Sequence, residues 1–566
     1  MNIEELKQRA AAGDAEAQFE LGICYLNGED IKPDEEAAVL WFQKSAEQGY
    51  AEAQSVLGEC YHFGDGVEQN SKEAVKWWHL AAEQGNMYAQ LNLGVSYKNG
   101  CGVEKNDLEA VKWYRLAAEQ GDVYAQFYLG QNYWDGIGVE QNQEKAVSLW
   151  KKIVDKYPDA QANLGYCYEK GIVVEQNMEK AFKCYLSAAE RGVAVAQHNI
   201  GNAYKHGDGV EQNDKEAAKW WRLAAEQGND KAQYNLGNAC QFGAGVEQNM
   251  EEAVKWYRLA AEQGLVEAQT KLGGIYLGVE GVEQNYEEAV KWYRLAAEQG
   301  NDKAQYNLGY CYEKGIVVEQ NMEEAVKWYR LAAEQGNMNA QLNLGVSYKN
   351  GCGVEKDVEE AVKWCRLAAE QGNAKAQYNL GVAFQFGTGV EQSMEEALKW
   401  WRLSAEQGGV EAQKKLGGLY LRGEGIEKNY KEASKWILLA AEQNDISSQS
   451  IMGIIYHNGD GVEQNDEEAV KWWRLAAERG DADAQYYLGC AYANGDGVEQ
   501  NYEEAVKWWR LAAEQGCTGA QYYLGCAYGN GDGVEQNDEA AVKWYRLVAE
   551  RGDEDAKEAL KRLQNE

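Results

Sequence analysis

A fourteen-residue segment, EEAVKWYRLAAEQG, stands at 251–264, 287–300 and 323–336, identical each time and spaced 36 residues apart. Looser copies run through almost the whole chain. The glycine of a Leu-Gly pair recurs fifteen times, from Gly22 and Gly58 to Gly489 and Gly525, with Ile200 and Met452 replacing the leucine in two copies. This periodicity decides the architecture before composition does. A unit of 36 residues is too short to bury an adequate core alone, so adjacent copies must bury a continuous core between them.

Residues 86–121 show how one copy folds. Asn86 caps a first helix whose buried face carries Ala89, Leu93, Gly94 and Tyr97 at helical spacing. Gly100 and Gly102 end it, since glycine accepts positive φ at a helix terminus, and Val103 turns the loop into the core. Asn106 caps a second helix and forms a capping box with Glu109. Ala110, Trp113, Tyr114, Ala117 and Ala118 make its buried stripe, and Gly121 stops it. On the outer face Glu251 with Lys255, and Arg258 with Glu262, are expected to pair at i,i+4, each pair contributing ~0.2–0.5 kcal/mol. The expectation is an all-α chain of about fifteen helix–turn–helix units, with capping helices at about 3–12 and 553–564. In the closing helix Lys561 stands where the glycine would be.

Only Pro33 and Pro158 interrupt this helical chain. The formal charge, 56 basic against 91 acidic residues, is −35, which repels phosphate backbones and anionic lipid. No nucleic-acid partner and no membrane insertion are expected. No run approaches the ~18 apolar residues of a membrane helix, and the N-terminal stretch lacks the pattern of a secretory leader. A cytoplasmic location is expected, although non-classical export would leave no sequence trace. Twelve cysteines form no pair that recurs from unit to unit. They read as small buried hydrophobes or neutral loop residues.

The pattern A-x-x-x-L-G-x-x-Y, G-x-G-V, A-x-x-W-Y-x-x-A-A-x-x-G is present as Ala232, Leu236, Gly237, Gly243, Gly245, Val246, Ala253, Trp256, Tyr257, Ala260, Ala261 and Gly264. It resembles the Sel-1-like repeat family, a relative of the tetratricopeptide repeat, over nearly all 566 residues. The second-helix cap, commonly Asp in that family, is mostly Asn here, which caps equally well. The resemblance implies a right-handed α/α superhelix (solenoid), first helices lining the concave side, and a non-enzymatic role as an interaction scaffold or adaptor. One branch, the cysteine-rich Helicobacter proteins, implies instead β-lactam binding or a β-lactamase-like hydrolysis, but its recurring cysteine pair is missing here. A bacterial effector acting on host proteins would share the scaffold chemistry.

No catalytic, cofactor or metal site is expected. The five histidines have no metal-ligand spacing, and G-x-G loops in nearly every unit mark helix stops, not phosphate cradles. Binding is expected on the first helices, beside the Leu-Gly pair. There stand Tyr234, Tyr306, Tyr378, Tyr486 and Tyr522, then Asn235, Asn307 and Asn379, with Asn238 and Tyr310 just beyond the glycine. In the family arrangement these project into the concave groove, where tyrosines supply rigid contact area and amides could hold an extended peptide. The competing reading is that they pack between adjacent first helices. Trp134 is the only one of twenty tryptophans on a first helix and reads either as a contact residue at the groove mouth or as a packing residue. The expected partner is a basic or neutral protein or peptide, bound by a monomer.

Between 150 and 162 the period drops to 35, Leu149 enters the first aromatic column and Pro158 appears. A kink is expected there, dividing the solenoid into segments 1–155 and 156–566. Two stretches, beginning at 163 and 245, are echoed 144 residues later, so a four-unit block is expected to present much the same surface twice.

Overall fold

The computed structural model describes residues 3–29, 31–279 and 281–565. Among them every regular element is an α-helix, 32 in all, most of them 13 residues long. The chain forms two compact units, Met1–Gln284 and Asn285–Glu566. The first opens with the capping helix Ile3–Ala11, whose Leu6 and Ala10 are buried against Ala17 and Leu21. Helix pairs follow, ending with Met250–Glu262 and Val266–Gly278. The second runs from Tyr286–Glu298 to the closing helix Glu554–Asn565, where Ala556 is fully buried. Both caps lie where the sequence places them.

Within a unit, the Leu-Gly glycine and the second aromatic of the second helix are made for each other. A methyl group at Gly94 would lie 2.5 Å from the Tyr114 ring, at Gly237 2.7 Å from Tyr257, and at Gly489 2.5 Å from Trp509. The ring lies against bare backbone, so the two helices approach closely and Tyr114 and Tyr257 are completely buried. Asn86 Oδ1 accepts from Ala89 N–H at 2.9 Å, and Asn106 Oδ1 accepts from Leu108 and Glu109 N–H, both as capping predicts. The Glu109 carboxylate pairs with Lys112 at 3.1 Å, so only the asparagine half of the expected capping box is seen. Most outer-face ion pairs form at i,i+3, as between Glu288 and Lys291 at 3.2 Å, with Glu179 and Lys183 pairing at i,i+4 at 2.8 Å, and Arg258 reaches the Tyr276 hydroxyl at 2.6 Å.

Two further devices join successive units. Whereas Gln161 accepts from Ser187, the glutamine of most first helices donates to a carbonyl at the end of the preceding second helix, as Gln54 does to Ala46 at 3.0 Å and Gln90 to Ala82 at 3.1 Å. Its own carbonyl accepts from the glutamine closing the unit, Gln84 to Gln54 at 2.7 Å and Gln120 to Gln90 at 2.8 Å. Where Arg479 and Arg551 replace the closing glutamine, the Gln449 and Gln521 carbonyls are left buried and unpaired. The second device is the later glycine of the loop. Gly102, at φ +75°, lies so close to the preceding second helix that a methyl would be 2.1 Å from the Ser71 carbonyl oxygen. The first loop glycine is the helix stop; the second is a contact between units.

Val173 and Val317 stand at that second-glycine position with φ of 64° and 62°, a conformation that costs a β-branched residue energy. At the irregular stretch the second helix Gln143–Ile153 has 11 residues, and Pro158 takes the first position of Pro158–Lys170, where its missing N–H costs nothing.

Both the ring contact and the strained loop can be tested by substitution. Gly237→Ala drives a methyl into the Tyr257 ring and should destabilise its helix pair by about 1–3 kcal/mol, read as loss of amide protection in 230–262. Val317→Gly relieves backbone strain that outweighs the added chain entropy, a net gain of about 1 kcal/mol, read as increased protection around the 315–321 loop.

Candidate functional site

The candidate residues divide between the two compact units. In the first unit Trp134 lies on Val123–Asp135 and Tyr234, Asn235 and Asn238 on Asp230–Phe242. In the second, Tyr306, Asn307 and Tyr310 lie on Asp302–Lys314, Tyr378 and Asn379 on Ala374–Phe386, Tyr486 on Ala482–Asn494 and Tyr522 on Thr518–Asn530. All are half-buried except Tyr310, which is exposed. The tyrosines are therefore neither core nor free surface. The Tyr234 ring centroid is 5.7 Å from that of Tyr257, Tyr306 is 5.9 Å from Tyr329, and Tyr522 is 5.7 Å from Tyr545. Each rests one side on the aromatic held by its own unit's glycine. Tyr486 also meets Tyr523 of the following first helix at 6.1 Å. Packing thus anchors the tyrosines of each compact unit while leaving part of each ring accessible.

The amides are not a uniform row. Asn235 is drawn into a polar cluster with the preceding first helix: its Nδ2 is 3.2 Å from His198 Nε2 and 3.0 Å from Asn202 Oδ1. Asn202 Oδ1 also accepts from Trp221 Nε1 at 3.0 Å. Asn238 Oδ1 accepts from the Tyr257 hydroxyl at 2.8 Å, and that hydroxyl also reaches Gln241 Oε1. Asn379 lines an apolar cavity. Spacing could not reveal these differences, because the cluster needs side chains from three helices.

His198 is held neutral within this cluster. Burial pushes its pKa below the ordinary value of 6.5. Its Nε2 faces amide nitrogens of Asn202 and Asn235, and its Nδ1 lies 3.3 Å from Asn199 Oδ1. That pattern assigns the proton to Nδ1 and the acceptor role to Nε2.

Trp134 packs its ring on Trp150 at 5.4 Å and meets Tyr166 at 6.2 Å. With Gln131, Asp135, Asn163 and Tyr166 it lines an open cavity of about 200 Å³. It is thus a packing residue that also borders a recess. All twelve cysteines are free thiols; Cys60, Cys167, Cys240, Cys311 and Cys365 are buried and Cys101 and Cys352 are exposed. Among the described residues no cluster of metal-ligating side chains forms and no helix is long and apolar enough to cross a membrane.

The repeat geometry has close counterparts. The family model of the Sel1 repeat matches fifteen consecutive segments, beginning 15–50, 51–86 and 88–122 and ending 446–481, 482–517 and 518–553. The crystal structure of a protective antigen present in uropathogenic Escherichia coli strains, described as displaying an SLR fold, is 36% identical. The match covers 80% of this chain and 97% of that one, with a TM-score of 0.62. A Sel1 repeat protein from Oxalobacter formigenes is likewise 36% identical, over 43% of this chain and 96% of its own, with a TM-score of 0.39. No curated protein matches the chain.

The neutral His198 gives a pH prediction. Its folded pKa lies below 6.5, so as pH falls the unfolded chain takes up the proton first, and the stability present above pH 6.5 is lost on acidification. Amide protection in 194–206 should therefore fall progressively as pH drops below about 7, and His198→Asn should remove most of that dependence.

Proposed function

We propose that this chain, which belongs to the Sel1 repeat family, is a non-enzymatic scaffold that binds a partner protein or extended peptide on the surface built by its first helices. The observation that carries this reading is the half-buried tyrosine recurring at one first-helix position within each compact unit, Tyr234 in the first and Tyr306, Tyr378, Tyr486 and Tyr522 in the second. Aromatic side chains fixed on one side by packing and open on the other offer contact area at little entropic cost. Amides and hydroxyls beside them, including Asn307 and Tyr310, supply hydrogen bonds for a backbone or a polar side chain.

The charge of −35 favours a basic or neutral partner and predicts association that weakens as salt rises. Nothing in the arrangement requires a cofactor, and the cysteines have no recurring pairing that would favour the β-lactam reading.

The test is affinity capture from native cells with the intact chain beside a Tyr306→Ala/Tyr378→Ala form of unchanged helicity. A partner retained by the first and lost by the second, with affinity at least ~10-fold weaker, as hot-spot losses of about 1.4 kcal/mol or more imply, is the expected result. A partner held equally by both would move the binding surface to the second helices or the loops.

A further inference from the structure

The glycine–aromatic contact has one exception that leaves space behind it. In the helix Val358–Glu370 the residue facing Gly345 is Cys365, where other units place a tyrosine, tryptophan or phenylalanine, or in one case Ile437. Helix approach is only slightly closer than elsewhere: a methyl at Gly345 would lie 2.9 Å from the Ala361 carbonyl oxygen, against 3.1 Å from Ala325 at Gly309 and from Ala505 at Gly489. The units on either side hold the spacing, since Tyr329 fills the place over Gly309 and Trp401 that over Gly381. The helices therefore do not collapse onto the smaller residue, and a cavity of about 300 Å³ opens between Met338–Asn350, Val358–Glu370 and Ala374–Phe386.

Two internal comparisons show what is missing. Residues 89–105 and 340–356 are identical in sequence, and in the two second helices that follow, KWYRLAAEQG at 112–121 becomes KWCRLAAEQG at 363–372. In the earlier copy the Tyr114 ring is fully buried over Gly94. The block 144 residues earlier carries Trp221 in place of Cys365, Asn202 in place of Val346 and Asn238 in place of Val382. There Trp221 plugs the space and donates to Asn202. In the later block the plug is gone and the walls have become Val346, Val362 and Val382. The duplicated blocks thus differ at this position.

The lining is apolar with a charged mouth. Lys349 and Lys375 border the cavity and are both exposed, and no acidic residue lines it, in a chain of net charge −35. Glu313 is the acid that senses Lys375 from outside the lining. Burial raises the Cys365 thiol to about 11, so at neutral pH it is an uncharged wall and not a nucleophile.

We propose that this cavity is a binding site for an aromatic ring bearing a carboxylate, the ring taking the place that Tyr114 fills in the sister copy and the carboxylate meeting Lys349 and Lys375 at the mouth. The same chemistry could arrive as a free aromatic acid or as an aromatic side chain next to an acidic residue of a peptide. This goes beyond the scaffold reading and does not rest on it: Tyr306 and Tyr378, where that reading is tested, do not line the cavity.

The experiment is calorimetry and ligand-observed NMR on the full chain with two probes, 3-(4-hydroxyphenyl)propionate and a hexapeptide with one central tyrosine flanked by glutamates. Saturable binding of the first alone assigns a free acid, and of the second alone a peptide. Cys365→Tyr should abolish binding and raise the melting temperature, since it restores the sister copy's ring. Cys365→Ala, which keeps the cavity open, should bind as the parent does. Lys349→Gln with Lys375→Gln should weaken carboxylate binding about 2- to 5-fold, the range of exposed charge pairs, while leaving binding of uncharged 4-ethylphenol unchanged. The proposal is overturned if neither probe binds saturably at millimolar concentration, or if Cys365→Tyr binds as well as the parent. Should Cys365→Tyr fail to fold, Cys365→Trp, which copies the plug that Trp221 supplies, makes the same test.

Discussion

An aromatic ring laid against a glycine backbone is the contact on which nearly every repeat depends. The glycine gives up its side chain so that the ring of Tyr114, Tyr257 or Trp509 can take that place, and the buried area of a large ring is what a 36-residue unit cannot supply otherwise. The contact explains why alanine surrounds it: Ala89, Ala110 and Ala117 are fully buried, and anything larger would push the helices apart and break the ring's fit. It also explains why isolated replacements, Cys365 and Ile437, are tolerated. At Cys365 the helices draw together only slightly, 2.9 Å from the Gly345 Cβ position to the Ala361 carbonyl against 3.1 Å at Gly309, so losing one ring leaves a cavity and not a collapsed unit.

Polar contacts settle how one copy follows the next. The glutamine bonded to both the preceding helix end and the closing glutamine, as Gln90 is to Ala82 and Gln120, satisfies helix-terminal carbonyls that would otherwise be buried without partners. The second loop glycine brings each loop onto the helix before it. Because these bonds reach only the adjacent copy, stability within each compact unit is expected to be a sum of neighbour terms. The first-helix side chains not consumed in this way are free to differ. Asn235 sits in a cluster with His198 and Asn202, while Asn379 borders an apolar recess.

Much of this was legible in advance. Helix pairs, capping asparagines and the aromatic stripe follow from spacing and local chemistry, and Asn86, Asn106 and Tyr114 all behave as their positions predict. The glutamines were missed although they recur in phase in nearly every copy, because a glutamine on a helix is ordinarily solvated and periodicity does not reveal what its amide meets. The second loop glycine was read as a helix stop for a similar reason: its contact is with another unit, 31 residues away at Ser71. That a tyrosine recurs at one position of the first helix was legible. Its half-burial was not, since that depends on where the neighbouring rings come to rest.

The amino-acid sequence by itself determined the helices, their order and the repeat, because capping, glycine stops and apolar period act over a few residues. It also determined the acidity of the surface, which is a matter of composition. Only the tertiary structure decided which polar side chains are spent on joining units, that His198 is held neutral among three amides, and that the space left by Cys365 stays open. Those outcomes arise where several helices converge, and the distances between helices are set by packing among copies instead of by any one segment.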